Sequence, residues 1–158
     1  MITLPKATAP SAPKVKYAPK LALVYAAIIV VLAVTQLFSF EKFQVVVQNY
    51  SIPGGVAFAA LLSAIIVISE VFALPFLLRM RLSKAMRIVS MWCGWLVALI
   101  WYLINLWILF KPALVDDIGL FGGLIALHPG WLAISVSIVL GVLAGIVSWG
   151  MWPLAHKK

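Results

Sequence analysis

Charged residues are scarce in this chain. Only 10% of its 158 residues are charged and only four are acidic, whereas 65% are hydrophobic. Soluble domains are about 45–50% apolar and about 25% charged, so this composition excludes an ordinary soluble domain. Cysteine is nearly absent as well. The single Cys93 excludes an intramolecular disulfide and a cysteine-rich metal site, and we interpret it as a small packing residue.

Catalytic motifs are also missing. The sequence has no P-loop, no dinucleotide-binding fingerprint and no Ser/His/Asp set. The two histidines, His128 and His156, are predicted to lie on opposite sides of a membrane and cannot share a metal within one chain. We therefore expect no metal, and no enzymatic activity of the chain on its own.

Long apolar runs dominate what is present. Each run covers roughly 28–35 Å as a helix, enough for a hydrocarbon core of about 30 Å. The predicted fold is an all-α integral membrane four-helix bundle with spans at residues 21–39, 56–78, 88–110 and 131–152. Residues 1–20, rich in Pro, Ala and Lys, are predicted to be a disordered tail, and residues 153–158 a short second tail.

Basic residues cluster between the runs and do not form a stripe with aromatics, which favours lipid headgroups over nucleic acid as partners. Ten of the twelve would lie on one side of the membrane, and only Lys42 and Lys111 on the other. The positive-inside rule then predicts cytoplasmic termini. The loop between spans two and three supplies the expected membrane-surface anchors, Arg79, Arg81, Lys84 and Arg87.

Both loops on the other side carry patterns of their own. In the first, Phe40, Phe43, Val47 and Tyr50 fall on one helical face, which predicts a short interfacial helix. The second, residues 111–130, combines an acidic pair with a glycine-punctuated apolar stretch. We expect it either to lie on the membrane surface or to dip into the mouth of the bundle as a lid.

Small residues recur at steps of four in the spans. Such stripes allow the backbones of two helices to approach closely, which favours packing in a bilayer because the hydrophobic effect does not drive helices together in lipid. Packing within one bundle and contact between subunits, including homo-oligomers, both remain open. The stripe residues are Ala133, Ser137, Gly141 and Gly145 in span four and Ser90, Gly94 and Ala98 in span three.

Glu70, in span two, is an acid within an apolar run. A charged carboxylate there is costly, so we expect a neutral acid that faces the bundle interior. Pro75 removes the helical hydrogen bond to the carbonyl of Val71, which predicts a kink and a polar pocket near Glu70. The candidate partners are Tyr25, a tryptophan indole, with Trp95 as the named candidate, and water. A structural hydrogen bond, a ligand or proton site, and contact with another subunit all remain open.

The order of several short motifs resembles the DoxX/MauE-like superfamily of small four-span bacterial membrane proteins. The motifs are SFEKF and NYSIP after span one, Glu70, the basic loop RMRLSKAMR, and GLFGGLI before span four. The cysteine-containing stretch of the MauE branch is replaced here by residues 117–122, DIGLFG, which argues against a thiol–disulfide role. The resemblance implies a bacterial inner membrane, and some relatives are linked to quinone-dependent oxidation.

We therefore expect a non-catalytic small subunit or assembly factor of a larger membrane complex. One alternative is a redox subunit that binds quinone near Glu70. Another is proton-coupled transport by an oligomer.

Overall fold

The structure is a computed structural model that describes residues 7–10, 12–110 and 115–152. It confirms an all-α fold with four long helices apolar enough to cross a membrane, and a fifth, short helix follows the first of them. The described residues contain no strand beyond one isolated bridge between Thr8 and Leu82. The helices are α1 (Ala18–Phe38), α2 (Phe40–Asn49), α3 (Gly55–Leu77), α4 (Lys84–Phe110) and α5 (Trp131–Met151).

Two helices begin earlier than the apolar runs predict. α1 starts three residues early because Pro19 stands in its first turn, where the missing N–H costs no helical hydrogen bond. α4 begins at Lys84 because the hydroxyl of Ser83 accepts a hydrogen bond from the N–H of Met86, which caps the helix. Lys84 and Arg87 consequently lie in the first turn of α4 and not in a loop.

The four long helices form one bundle in which α3 packs on α1 and α4, and α5 packs on α1 and α4. Trp101 and Tyr25 are the largest of the fully buried side chains. α2 packs across α3 and buries Phe43 and Val47, while Glu41 and Lys42 stay exposed. The amphipathic pattern of residues 40–50 therefore corresponds to a short helix whose apolar side faces the bundle.

Small residues permit several of these contacts. Gly94 lies against Tyr25 and Ala73, and Ala98, Ala133 and Ser137 are buried. Gly145 lies against the ring of Trp95. Gly141 differs, because a Cβ added there would meet nothing within 4 Å. The stripe on α5 is thus packed against the protein at Ala133, Ser137 and Gly145 and is open at Gly141.

Ser90 on α4 contacts the backbone of α3 on both sides of Pro75. Its hydroxyl accepts a hydrogen bond from the N–H of Phe76 (2.9 Å) and lies 3.3 Å from the carbonyl oxygen of Ala73, to which it can donate. α3 continues through Pro75 to Leu77. This contact between α3 and α4 lies beside Pro75, and the carbonyl of Val71, on which the expected polar pocket near Glu70 was based, is not part of it.

The chain before α1 crosses the end of the bundle at which α1 begins and α5 ends, called here the terminal end. Thr8 N–H donates to the carbonyl of Leu82, and Lys14 N–H donates to the carbonyl of Gly150. The Arg87 guanidinium donates to the carbonyls of Thr8 and Ala9. Residues 1–6 and 11 of the tail predicted for residues 1–20 lie outside the described residues, whereas Thr8, Ala9 and Lys14 have these partners. Arg87 thereby has a partner in the protein. Arg79, with φ of 55°, and Arg81 lie in the exposed turn between α3 and α4.

At the opposite end, residues 115–127 fold into the mouth of the bundle, and we call them the plug loop. Ile118 and Leu120 are buried among the helices, which corresponds to the second of the two expectations for this segment. Gly122, with φ of 64°, lies directly against α1. A Cβ there would stand 2.6 Å from Ser39 Oγ and 2.7 Å from the carbonyl oxygen of Thr35.

Gly122→Ala tests this close approach. Gly123→Ala is the matched control, because Gly123 also has a positive φ (75°) but its Cβ would meet nothing closer than 3.5 Å. We expect the control to lose about 1–2 kcal/mol of unfolding free energy from backbone strain alone. Gly122→Ala should lose a further 1–3 kcal/mol, roughly, from overpacking. Thermal unfolding in detergent measures both, and equal losses would contradict the seating of the loop.

Candidate functional site

Glu70 lies in the interior of the bundle with no exposed surface. Its Oε1 accepts a hydrogen bond from Nε2 of Gln36 on α1, at 3.1 Å. The indole Nε1 of Trp101 on α4 donates to the same oxygen over a longer 3.5 Å. Both partners are neutral N–H groups, so neither supplies the positive charge that an ionised carboxylate would require in this environment.

The side-chain amide of Gln36 joins three parts of the protein. Besides its hydrogen bond to Glu70 on α3, Nε2 donates to the backbone carbonyl of Leu120 in the plug loop, also at 3.1 Å. Gln36 is fully buried. Because a primary amide has two N–H hydrogens, the donor capacity of Gln36 is used completely by one acid and one loop carbonyl.

Hydrogen-bond acceptors outnumber donors in this part of the bundle. Among the residues that the structure describes, three buried side-chain oxygens have no partner: Oε1 of Gln36, Oε2 of Glu70 and Oδ1 of Asn105. Asn105, one helical turn beyond Trp101, donates through Nδ2 to Ser137 Oγ (2.7 Å) and to the carbonyl of Ala133 (3.3 Å). Its two hydrogens are therefore used as well. A buried polar atom without a partner is costly, so these oxygens require donors from a proton, a water or a ligand.

The plug loop is held by hydrogen bonds to three alternate backbone carbonyls. Tyr50 Oη donates to Ile118, Gln36 Nε2 to Leu120, and Ser39 Oγ to Gly122 at 2.6 Å. Each such bond contributes about 1 kcal/mol net. Burial of an unpaired carboxylate costs several kcal/mol. The free-energy cost of ionising Glu70 in this interior is therefore comparable to the combined contribution of the three hydrogen bonds that hold these carbonyls.

Asp117 organises the loop internally. Its Oδ1 accepts hydrogen bonds from the N–H groups of Gly119 and Leu127, both at 3.0 Å. The N–H of Ile118 donates to the carbonyl of Leu127. The acidic pair at residues 116–117 thus includes one carboxylate with a structural role in shaping the loop.

Of the residues predicted to form the site, only Glu70 is at its centre. The hydroxyl of Tyr25 donates to the carbonyl of Gly94 at 2.7 Å, because it stands opposite a residue without a side chain. Trp95 is directed to α5, where its indole donates to Ser148 Oγ. Pro75 lies beside the hydrogen bond from the N–H of Phe76 to Ser90 Oγ. These three residues are not the hydrogen-bond partners of Glu70.

Gln36 was not predicted as a partner of Glu70, and the expected tryptophan indole belongs to Trp101 and not to Trp95. Both carried a usable signal: Gln36 is one of very few amides inside an apolar run, and Trp101 is the tryptophan of span three farthest from both clusters of charge. Among the described tryptophans of α4, Trp92 is 63% exposed and Trp101 is fully buried. A helical rotation that buries Trp101 necessarily directs Trp92 and Trp95 elsewhere.

An apolar groove adjoins the plug loop on the surface of the bundle. It lies between α1 and α5, has a volume of about 350 Å³ and is closed at one end by Leu120 and Phe121. It is large enough for part of a hydrocarbon or isoprenoid chain. The other lining residues are Ala27, Ile28, Val31, Leu32, Val136 and Leu140.

Within the described ranges, no three His, Cys, Asp or Glu residues stand close enough to hold a metal ion. Cys93 is half-buried in α4 and is a free thiol. Comparisons with protein-family models, with curated proteins and with solved structures find no match.

Tyr50 gives a test of the plug loop's anchorage. Burial raises the pKa of Tyr50 above its usual range, and the nearby charge of Asp117 raises it further. An unfolded tyrosine ionises near pH 10, so the folded state loses the advantage of a neutral Tyr50 as the pH rises above about 10.

Tyr50→Phe should therefore cost about 1–3 kcal/mol at neutral pH, because the carbonyl of Ile118 loses its donor. The difference in melting temperature between wild type and variant should shrink above about pH 10. Thermal unfolding from pH 7 to about pH 11 measures it. Tyr102→Phe, at a tyrosine 38% exposed on α4, is the control. A difference that stays constant with pH would contradict the burial of the hydroxyl.

Proposed function

We propose that this protein is a non-catalytic multi-pass membrane protein that acts as a small subunit or assembly factor of a larger complex. The observation that carries the proposal is the open position of Gly141. A helix surface that lacks a side chain in the middle of an apolar face is the geometry that lets a second helix approach closely in a bilayer. Ile138 and Val142 beside it are exposed.

The polar interior supports the same reading. Asn105, Ser90 and Tyr25 each connect two parts of the bundle through hydrogen bonds to backbone or to another side chain. Such bonds stabilise helix packing, and they leave few groups available for chemistry. Membership of the DoxX/MauE-like superfamily, proposed on the order of the sequence motifs, is consistent with an accessory role.

A quinone-linked redox subunit is the second candidate. The observation that favours it is the apolar groove that ends at Leu120, whose carbonyl is hydrogen-bonded to Gln36. An isoprenoid tail fits the chemistry of the groove, and a quinone carbonyl would find donors only if Gln36 or Trp101 exchanged partners.

Purification from native membranes in mild detergent distinguishes the two candidates. We expect native mass spectrometry to find the chain in a homo-oligomer or a complex. Gly141→Leu should weaken that association by about tenfold or more, and Val139→Leu, on a different face of α5, should not. A wild-type chain that is only ever monomeric overturns the proposal. Quinone that co-purifies with wild type and is lost in Glu70→Gln would favour the redox subunit instead.

For the topology, we propose a bacterial inner-membrane protein with both termini in the cytoplasm, because ten of its twelve basic residues then face that side. In a Cys93→Ala background, Lys42→Cys should react with a membrane-impermeant maleimide on spheroplasts with an intact inner membrane. Lys157→Cys should react only after lysis. The opposite pattern would invert the topology.

A further inference from the structure

Glu70 and the plug loop are connected through a single side chain. The Gln36 amide donates one hydrogen to Oε1 of Glu70 and the other to the carbonyl of Leu120. A change in the hydrogen bonding between Glu70 and the Gln36 amide therefore directly affects the hydrogen bond that holds Leu120. Oε2 of Glu70 and Oε1 of Gln36 are buried acceptors to which no described group donates a hydrogen bond.

We propose that Glu70 is a proton-binding site and that its proton keeps the plug loop seated in the bundle. A proton on Oε2 removes the buried charge and changes this oxygen from an unpartnered acceptor into a donor. It leaves Oε1 as the acceptor for Gln36 and Trp101, as the structure has it. In this state the second hydrogen of the Gln36 amide remains free to hold Leu120.

Loss of the proton increases the number of hydrogen-bond donors that Glu70 requires. An ionised carboxylate in a dry bundle needs several strong donors, and the existing partners are one shared amide and one long indole contact. Water is the donor that can be recruited, and the plug loop covers the nearest polar contact of the site. Release of Leu120 frees the Gln36 amide and opens this end of the bundle to water.

Among the described residues, no cation on the surrounding elements is placed to replace the proton. The titratable groups on or next to these elements are Tyr25 and Lys20 on α1, Glu41 and Lys42 on α2, Tyr50 at its end, Cys93, Tyr102, Lys84 and Arg87 on α4, Asp116 and Asp117 on the loop, and His128 after it. Among them, the Tyr25 hydroxyl is bound to the carbonyl of Gly94. Lys42 is exposed, and Arg87 is at the terminal end with Thr8. α5 carries no titratable side chain.

The first measurement is the protonation of Glu70 in the full chain in lipid nanodiscs. Infrared difference spectra recorded from about pH 6 to about pH 9 should show a protonated-carboxyl C=O band that decreases as the pH rises. The band should be absent in Glu70→Gln and retained in Glu41→Gln, the control at an exposed acid. Absence of a Glu70-dependent band throughout this range overturns the proposal. A band that never decreases overturns the release of the loop.

The second measurement is hydrogen–deuterium exchange of residues 118–127, corrected for the intrinsic dependence on pH. Once Glu70 loses its proton, the protection of these amides should fall about tenfold per pH unit. Glu70→Gln, which is permanently neutral, should keep them protected at every pH. Gln36→Leu should leave them poorly protected at every pH while the carboxyl band persists. Protection that follows the same course in wild type and Glu70→Gln overturns the coupling.

Discussion

The loop end of this bundle depends on the two hydrogen bonds that the Gln36 amide donates, one to Glu70 and one to the carbonyl of Leu120. In a bilayer no water is available to satisfy a polar group, so each one must find its partner inside the protein. Gln36 meets that requirement for an acid on α3 and for a loop carbonyl at the same time. The position of α1, the burial of Glu70 and the depth of the plug loop are therefore linked, and none of them can change alone.

The same constraint explains how the remaining elements are joined. Four pairs of elements are joined by a polar side chain that bonds a backbone group across the contact: Tyr25 from α1 to α4, Ser90 from α4 to α3, Asn105 from α4 to α5 and Trp107 from α4 to the end of α2. Measured bonds of this kind in membranes contribute only about 0.6–2 kcal/mol each. Their effect is to select one rotation for each helix, while the apolar contacts provide most of the packing.

The architecture was predictable because it depends on the length of apolar runs, which a bilayer constrains strongly. The interior position of Glu70 followed from the cost of its charge. Its partners did not follow, because Tyr25, Trp95 and Trp101 are all plausible until the rotation of each helix is known. The plug loop was harder still: GLFGGLI is apolar enough for a surface or for an interior, and the choice depends on Gly122 fitting against Ser39. The segment before α1 has the composition of a disordered tail, yet Thr8 and Lys14 find backbone partners.

The contacts at the two ends of α1 have a mechanical consequence. The chain entering α1 is tied to Gly150 at the terminal end, and the last turn of α1 holds Leu120 at the other. α1 thus behaves as a rod clamped at both ends, about 30 Å long for 21 residues. A displacement or rotation of α1 would therefore strain the hydrogen bonds at both ends of the bundle together, and with them the contact of Gln36 with Glu70 on α3.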